Sequence, residues 1–160
     1  MSELHIRAAE PADAERILGF ITELAIYEQA EQEVVATVDE IRARLFGDGA
    51  TVYALMAEVE DEPVGFAVYF LNFSTWLGRH GIFLEDLYIT PAARGQGHAT
   101  QLLRHLARMA AERGYGRFEW NVLDWNTPAI GFYESIGAKP QSEWIGYRLE
   151  GEALAAFARG

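Results

Sequence analysis

Apolar residues along the chain recur in two periods that alternate almost from end to end. Leu4 to Ala8 has the in-and-out pattern of a short strand. Pro11 follows at a position suited to opening a helix, with Asp13 and Glu15 in the first turn, and Ile17, Phe20, Ile21, Leu24 and Tyr27 then fall at helical spacing on one face. Thr37 and Glu40 have the spacing of a capping box and open a second helix through Ile41 and Leu45, which Gly47 ends. Residues 51–59 and 64–73 are rich in β-branched and aromatic side chains. They flank Glu60-Asp61-Glu62-Pro63, a turn-forming sequence, so the pattern predicts a β-hairpin. A third run, Ile82 to Ile89, predicts another strand. It carries adjacent carboxylates, Glu85 and Asp86, and a regular strand sends one to each face, so at least one borders a cavity or solvent.

Beyond Pro91 the chain reads Arg94-Gly95-Gln96-Gly97-His98-Ala99. A helix then follows with Ala99, Leu102, Leu103, Leu106 and Ala110 on its buried stripe and Arg113-Gly114 at its end. Phe118 to Val122 predicts a further strand, and Asn126 or Thr127 caps a short helix that has Pro128 in its first turn and Gly137 at its exit. Trp144 to Leu149 predicts a last strand, and a closing helix is expected near Ala153 to Ala158. With no repeat and no linker-like tract, the 160 residues read as one domain of mixed α/β class.

Composition narrows the chemistry. The chain has 24 acidic against 13 basic residues, a net charge of −11, which disfavours sequence-independent binding to nucleic acid and to anionic membranes. Cationic small molecules are the natural electrostatic partners. There is no cysteine, so disulfides, thiolate metal sites and a cysteine nucleophile are excluded. His5, His80, His98 and His105 lack the spacing of a metal site, and no metal is expected. No run approaches the ~18 to 20 apolar residues of a membrane span, and the first residues lack a signal-peptide core, so a cytoplasmic protein is expected.

The glycine loop is the strongest chemical signal. Gly95 and Gly97 let backbone amides approach a ligand, and a helix start directly behind them aims unsatisfied N–H groups and partial positive charge outward, which suits phosphate. Arg94 adds a charge-assisted contact, and Ala99 keeps the first turn slim. The dinucleotide fingerprint fails because Thr100 stands where a third glycine or alanine belongs, and no Gly-Lys-Ser or Gly-Lys-Thr exists for a nucleoside-triphosphate loop. A phosphate ligand of another kind remains.

The segment from Arg94 to Ala99 resembles motif A of the GNAT superfamily of N-acetyltransferases, Gln/Arg-x-x-Gly-x-Gly/Ala, and residues 84–89, 125–133 and 137–138 are similar to the rest of that family's coenzyme half. Within the superfamily, residues 24–28, Trp76-Leu77-Gly78 and Leu84-Glu85-Asp86 resemble the diamine (spermidine/spermine) acetyltransferases and their thialysine-acetylating relatives. The resemblance implies a splayed, mainly antiparallel central sheet flanked by helices, acetyl-CoA as co-substrate and a homodimer. It implies that the backbone of Leu87, Tyr88 and Ile89 holds the pantetheine arm, that Gly95, Gln96, Gly97, His98, Ala99 and Thr100 hold the pyrophosphate, that Asn126 holds the arm near the thioester, and that Tyr133 is the general acid.

The residues themselves fit such roles. An ammonium must lose a proton before it attacks a thioester, and Glu85 is the candidate base. Tyr27, Glu28 and Asp86 suit a cationic substrate, and a backbone N–H released by a bulge near Tyr88 suits an oxyanion. In isolation Tyr133 reads as a core residue, and Tyr27 and Glu28 as a solvated helix face. Their joint occurrence with the loop favours the site. Only Glu143 stands where the diamine group carries a pair of acids, so the acceptor is left between a diamine or polyamine and a thialysine-like amino acid. Transfer to another amine, such as a protein amino terminus, a lysine or an aminoglycoside, and a non-catalytic coenzyme A sensor are the alternatives.

Overall fold

The computed structural model describes residues 2–160, in two compact units covering residues 2–121 and Val122–Gly160. The first contains a five-stranded sheet. Strands β1 (Leu4–Ala8), β2 (Val52–Val59), β3 (Glu62–Ser74) and β4 (Arg79–Ile89) lie side by side in chain order, each antiparallel to the last, and β5 (Arg117–Trp120) pairs parallel to β4 at the far edge. Helices α1 (Ala14–Tyr27) and α2 (Val38–Phe46) precede β2, and α3 (His98–Glu112) makes the crossover between β4 and β5 that a parallel pair requires. This is the mixed, mainly antiparallel architecture expected above.

Local chemistry explains most element ends. Pro11 opens a single 3-10 turn ahead of α1, and Thr37 and Glu40 form the reciprocal capping box, with Glu40 N–H donating to Thr37 Oγ1 and Thr37 N–H to Glu40 Oε2. The β2–β3 connection is tighter than the four-residue turn expected. Val59 pairs with Glu62, and only Glu60 and Asp61 turn the chain, at φ 52° and 66°. Two successive left-handed residues match the right-handed twist of the flanking strands.

One face of the sheet carries the main core: Ile17 and Phe20 of α1 pack on Ala54 and Met56 of β2, Phe66 and Val68 of β3 and Tyr88 of β4, with Phe20 against the Phe66 and Tyr88 rings. On α3 the buried stripe is His98, Leu102, Leu103, Leu106 and Ala110, and that helix packs on β4 and β5.

The first turn of the chain is tied to the sheet by charge. Arg7 donates through Nη1 and Nη2 to the two oxygens of Asp13, at 2.8 and 2.9 Å, and through Nε to Glu58 on β2. The Arg7 guanidinium holds the Asp13 carboxyl below its usual range. A fork that meets one carboxylate bidentately and a second with its remaining edge fixes β1, β2 and the start of α1 to one another.

The second unit contains α4 (Thr127–Ser135) and α5 (Gly151–Ala158), the latter carrying an Arg159–Glu152 ion pair at 2.8 Å. Residues 144–149 form no strand, contrary to expectation, and Tyr147 is 95% exposed. An alternating apolar run becomes a strand only where a neighbouring edge supplies the ladder, and Gly146 weakens the run from within. The strand expected at Phe118 to Val122 is likewise shorter, ending at Trp120.

Candidate functional site

The site begins with an irregularity in β4. Asp86 pairs with Val68 and Leu84 with Tyr69, so Glu85 is an extra residue with no partner across the strand pair. This bulge resets the alternation of side chains. Ile82, Leu84, Leu87 and Ile89 fall on one face, while Phe83, Asp86 and Tyr88 fall on the face covered by α1. A regular strand would have put Asp86 among Ile82 and Leu84. The bulge was expected near Tyr88 and lies at Glu85 instead, where it keeps Ile82, Leu84, Leu87 and Ile89 together on one apolar face.

The same place is where the sheet opens. β5 pairs with β4 only over Gly81–Leu84, and among the described residues no strand covers the following stretch of that edge. Thr90 N–H donates to Val64 C=O at 2.8 Å, toward β3. Antiparallel alternation then turns the backbone groups of Leu87 and Ile89 to the open edge. Ile89 C=O is met there by Arg94 Nε at 2.9 Å. A row of backbone donors and acceptors along an unpaired edge suits an extended amide-bearing ligand.

The glycine loop follows directly. Gly95 and Gly97 take φ of 78° and 80°, the left-handed region, and a Cβ at either would meet no atom within 4 Å, so conformation rather than crowding calls for glycine. Gly97 is the N-cap of α3, and the amides of the first turn face outward behind it. Gln96 is exposed, and Ala99 and Thr100 are half-buried in the first turn. His98 follows as the first residue of the helix, with its ring turned inward. It is only 5% exposed, and neither ring nitrogen has a protein partner, so it belongs to the buried stripe of α3.

Opposite the bulge, α1 ends in a Schellman motif. Ala30 N–H donates to Ala25 C=O at 2.8 Å and Gln29 N–H to Ile26 C=O at 3.0 Å, with Gln29 left-handed at φ 59°. Tyr27 and Glu28 are thereby fixed at a helix C-terminus, whose partial negative charge no basic residue of the last turn offsets. Glu28, Glu85 and Asp86 form one electrostatic group. Burial, then Glu85 and Glu28, pushes the Asp86 carboxyl up to about 6, and burial with Glu85 raises Glu28. Three carboxylates that disfavour one another's charge would each be favoured in their charged form by a cation placed among them.

Arg94 spans these features. Besides reaching Ile89 C=O, its guanidinium carbon lies 5.4 Å from the Tyr88 ring centre and 5.8 Å from that of Tyr27. Burial, then the charge of Glu23, raises the Tyr88 phenol, and sequence reasoning passed over Glu23. The spacing of Glu23 and Tyr27, one turn apart on α1, was the available signal.

The second unit holds the remaining two expected residues. Asn126 is the N-cap of α4, its side-chain oxygen accepting from Ala129 N–H at 3.4 Å, and Tyr133 is half-buried in the same helix beside Phe132. The described residues contain no group of three His, Asp or Glu side chains able to hold a metal.

Comparison with known proteins gives a consistent result. Residues 14–138 match the family described as "Acetyltransferase (GNAT) family". The chain is 36% identical to a thialysine N-epsilon-acetyltransferase of Sus scrofa, over 99% of each chain. It is 33% identical to a Homo sapiens spermidine/spermine N(1)-acetyltransferase-like protein 1, over 93% of this chain and 22% of that one. Among solved structures, an integron cassette protein from the mobile metagenome of V. cholerae superposes with a TM-score of 0.82 at 28% identity, covering 100% of this chain and 99% of that one.

Proposed function

The chain belongs to the GNAT acetyltransferase family and is an acetyl-CoA-dependent N-acetyltransferase, and from that premise we propose that its acceptor is a small cationic amine, either a diamine or polyamine or a thialysine-like amino acid. The observation that carries this reading is the carboxylate group Glu28, Glu85 and Asp86, gathered where the sheet opens. A second ammonium on the acceptor offsets their mutual repulsion.

In this reading residues 1–160 act as one domain, and acetyl-CoA lies along the open edge of β4. The outward backbone groups of Leu87 and Ile89 take the pantetheine amides, while Tyr88, also expected there, turns its own N–H and C=O to β3; Gly95, Gln96, Gly97, His98, Ala99 and Thr100 take the pyrophosphate through backbone amides, with Arg94 beside them. Asn126 holds the arm near the thioester. Tyr27, Glu28 and Asp86 hold the amine, and Glu85, exposed at the bulge, takes the ammonium proton directly or through water. The freed amine attacks the thioester carbonyl in a single ternary complex, and an outward N–H at the edge stabilises the oxyanion; as the C–S bond breaks, Tyr133 protonates the departing thiolate, the new amide nitrogen sheds its second proton to solvent, and Tyr133 regains a proton from there. With no cysteine to carry the acetyl group, direct transfer is the simplest course. The proposal extends to a homodimer in the cytoplasm. No helix of the described residues is long and apolar enough to cross a membrane.

The test is thiol release from acetyl-CoA with spermidine, putrescine, thialysine, lysine and a peptide amine, each product weighed by mass spectrometry. Preference for one small amine supports the reading. Preference for the peptide moves the acceptor to proteins, and coenzyme A binding with no turnover on any amine makes the chain a sensor.

Two further results are expected. Gly97→Ala forces a side chain into the left-handed region at a cost of about 1–2 kcal/mol, so coenzyme A binding should weaken roughly 5- to 30-fold by calorimetry. Asp86, with its carboxyl pushed up to about 6, is neutral at pH 5 and charged at pH 7.5. A cationic acceptor favours the charged form, so thialysine affinity should rise with pH through 6, by at most about tenfold per unit. Asp86→Asn should flatten that rise. For folding the sign is opposite: a raised carboxyl pKa adds stability below the unfolded value near 4 and loses it as pH climbs through about 6. An unchanged thialysine affinity from pH 5 to 7.5 would remove Asp86 from the acceptor site.

A further inference from the structure

The groove between α3 and β1 gathers basic side chains for which acetyl transfer has no use. Gln101, Arg104, His105 and Arg108 of α3 and Ile6 of β1 line a cavity of about 380 Å³, open to solvent. That volume lies within the ~300–1,000 Å³ of small-molecule sites. We propose that the groove is a phosphate site in which Arg104 and Arg108 hold a phosphomonoester, one to three turns beyond the glycine loop.

The helical period builds one wall. Gln101, His105 and Arg108 fall on one flank of the buried stripe of Leu102, Leu106 and Ala110, and Arg104 lies beside them. Strand alternation supplies the floor. Arg7 turns to Asp13 and Glu58 on the face under α1, so Ile6, which pairs with Ala57, turns to the opposite face. The groove is thus across the sheet from α1 and from Asp86.

Charge names the ligand. The chain carries a net charge of −11, yet α3 has Arg104 and Arg108 against the single acid Glu112. Among the described residues neither arginine has a carboxylate within ion-pair distance. Like charges one turn apart on a helix disfavour each other, and a dianion between them removes that repulsion. Each planar guanidinium offers a fork of N–H groups that matches phosphate oxygens, and the Gln101 amide and the half-buried His105 ring add donors.

Two sources offer this chemistry, a free phosphate compound and the ribose phosphate of coenzyme A. Arg104 and Arg108 stand roughly 10 to 17 Å along the helix axis from Gly97, beyond a pyrophosphate seated on the loop. Occupancy by coenzyme A rests on the function proposed above; occupancy by a free phosphate does not.

The experiment titrates inorganic phosphate into the ¹⁵N-labelled full chain against chloride at matched ionic strength. It is run alone, with saturating dephospho-coenzyme A and with saturating coenzyme A. Alone and with dephospho-coenzyme A, the amides of Gln101 to Arg108 and the Nε–H groups of both arginines should shift saturably, with a roughly millimolar midpoint. Arg104 and Arg108 are exposed, so the double variant Arg104→Gln, Arg108→Gln keeps the fold and should lose the shifts. Coenzyme A that blocks the shifts identifies its own ribose phosphate as the occupant, and calorimetry should then show the double variant losing about 10-fold in affinity for coenzyme A and nothing for the dephospho form. Shifts that persist under coenzyme A assign the groove to a free phosphate. No saturable shift at these residues, or the same shifts in the double variant, overturns the site. A chain that takes up phosphate in the groove but binds neither coenzyme removes the proposed function and leaves the site standing.

Discussion

Tyr133→Phe should lower turnover by about 10- to 10⁴-fold at saturating substrates while coenzyme A binding stays close to wild type. The substitution removes one hydroxyl and nothing else. The ring still packs 5.8 Å from Phe132, and α4 keeps its Asn126 cap, so the helix that carries the residue is undisturbed. A thiolate without a proton donor is a poorer leaving group at the tetrahedral stage, and the loss falls on the chemical step. Thiol release measured with saturating acetyl-CoA and the preferred amine checks this. A loss confined to KM for acetyl-CoA would make Tyr133 a binding residue, and an unchanged rate would place the donor elsewhere.

The second large effect is on stability. Arg7→Met should destabilise the chain by about 3 kcal/mol, the low end of the range for removing one partner from a buried ion pair, because the Arg7 side chain is 28% exposed. The methionine fills much of the space but leaves Asp13 and Glu58, which are 13% and 10% exposed, without their cation. In the wild-type chain Arg7 holds the Asp13 carboxyl low, and that contribution is present above the unfolded value near 4 and lost as pH falls. The variant has no such contribution to lose. Its deficit measured by urea unfolding at pH 7 should therefore narrow as pH falls toward 4, and Asp13→Asn in the Met background should recover part of it at pH 7. A deficit independent of pH would mean that lost packing, not stranded charge, is the cause.

Elements whose signal is local were legible in the sequence. Thr37 with Glu40, Pro11, Asn126 and the Gly95/Gly97 pair each specify a cap or turn through contacts within a few residues, and each sits where its chemistry predicts. The phosphate-binding role proposed for the loop rests on the same local logic. The misreadings involve pairing between distant segments. The alternation at Trp144 to Leu149 says nothing of which edge is available, and no strand forms there. Leu84 to Leu87 contains the evidence for the bulge, since an extra residue at Glu85 brings Ile82, Leu84, Leu87 and Ile89 onto one apolar face, but the partner strand is needed to see it. Arg94 also makes contacts that the sequence does not show, for a related reason. Its neighbours in space, Tyr27 and Tyr88, lie 67 and 6 residues away in sequence, and charge next to a glycine loop suggests phosphate before it suggests an aromatic clasp.

The bulge in β4 also bears on how the acid pair would be moved to another protein. Glu85 and Asp86 owe their placement to the number of residues in the strand as much as to their identity, since the one unpaired position carries Asp86 across to the face beneath α1. Grafting the two acids onto an uninterrupted strand would reproduce the chemistry of the side chains and lose their geometry. Deleting Glu85 would close the bulge and leave Asp86, Leu87 and Tyr88 on their present faces, whereas pairing Glu85 into a regular ladder would carry Asp86 to the face of Ile82 and Leu84. For an engineer, the portable part is the extra residue.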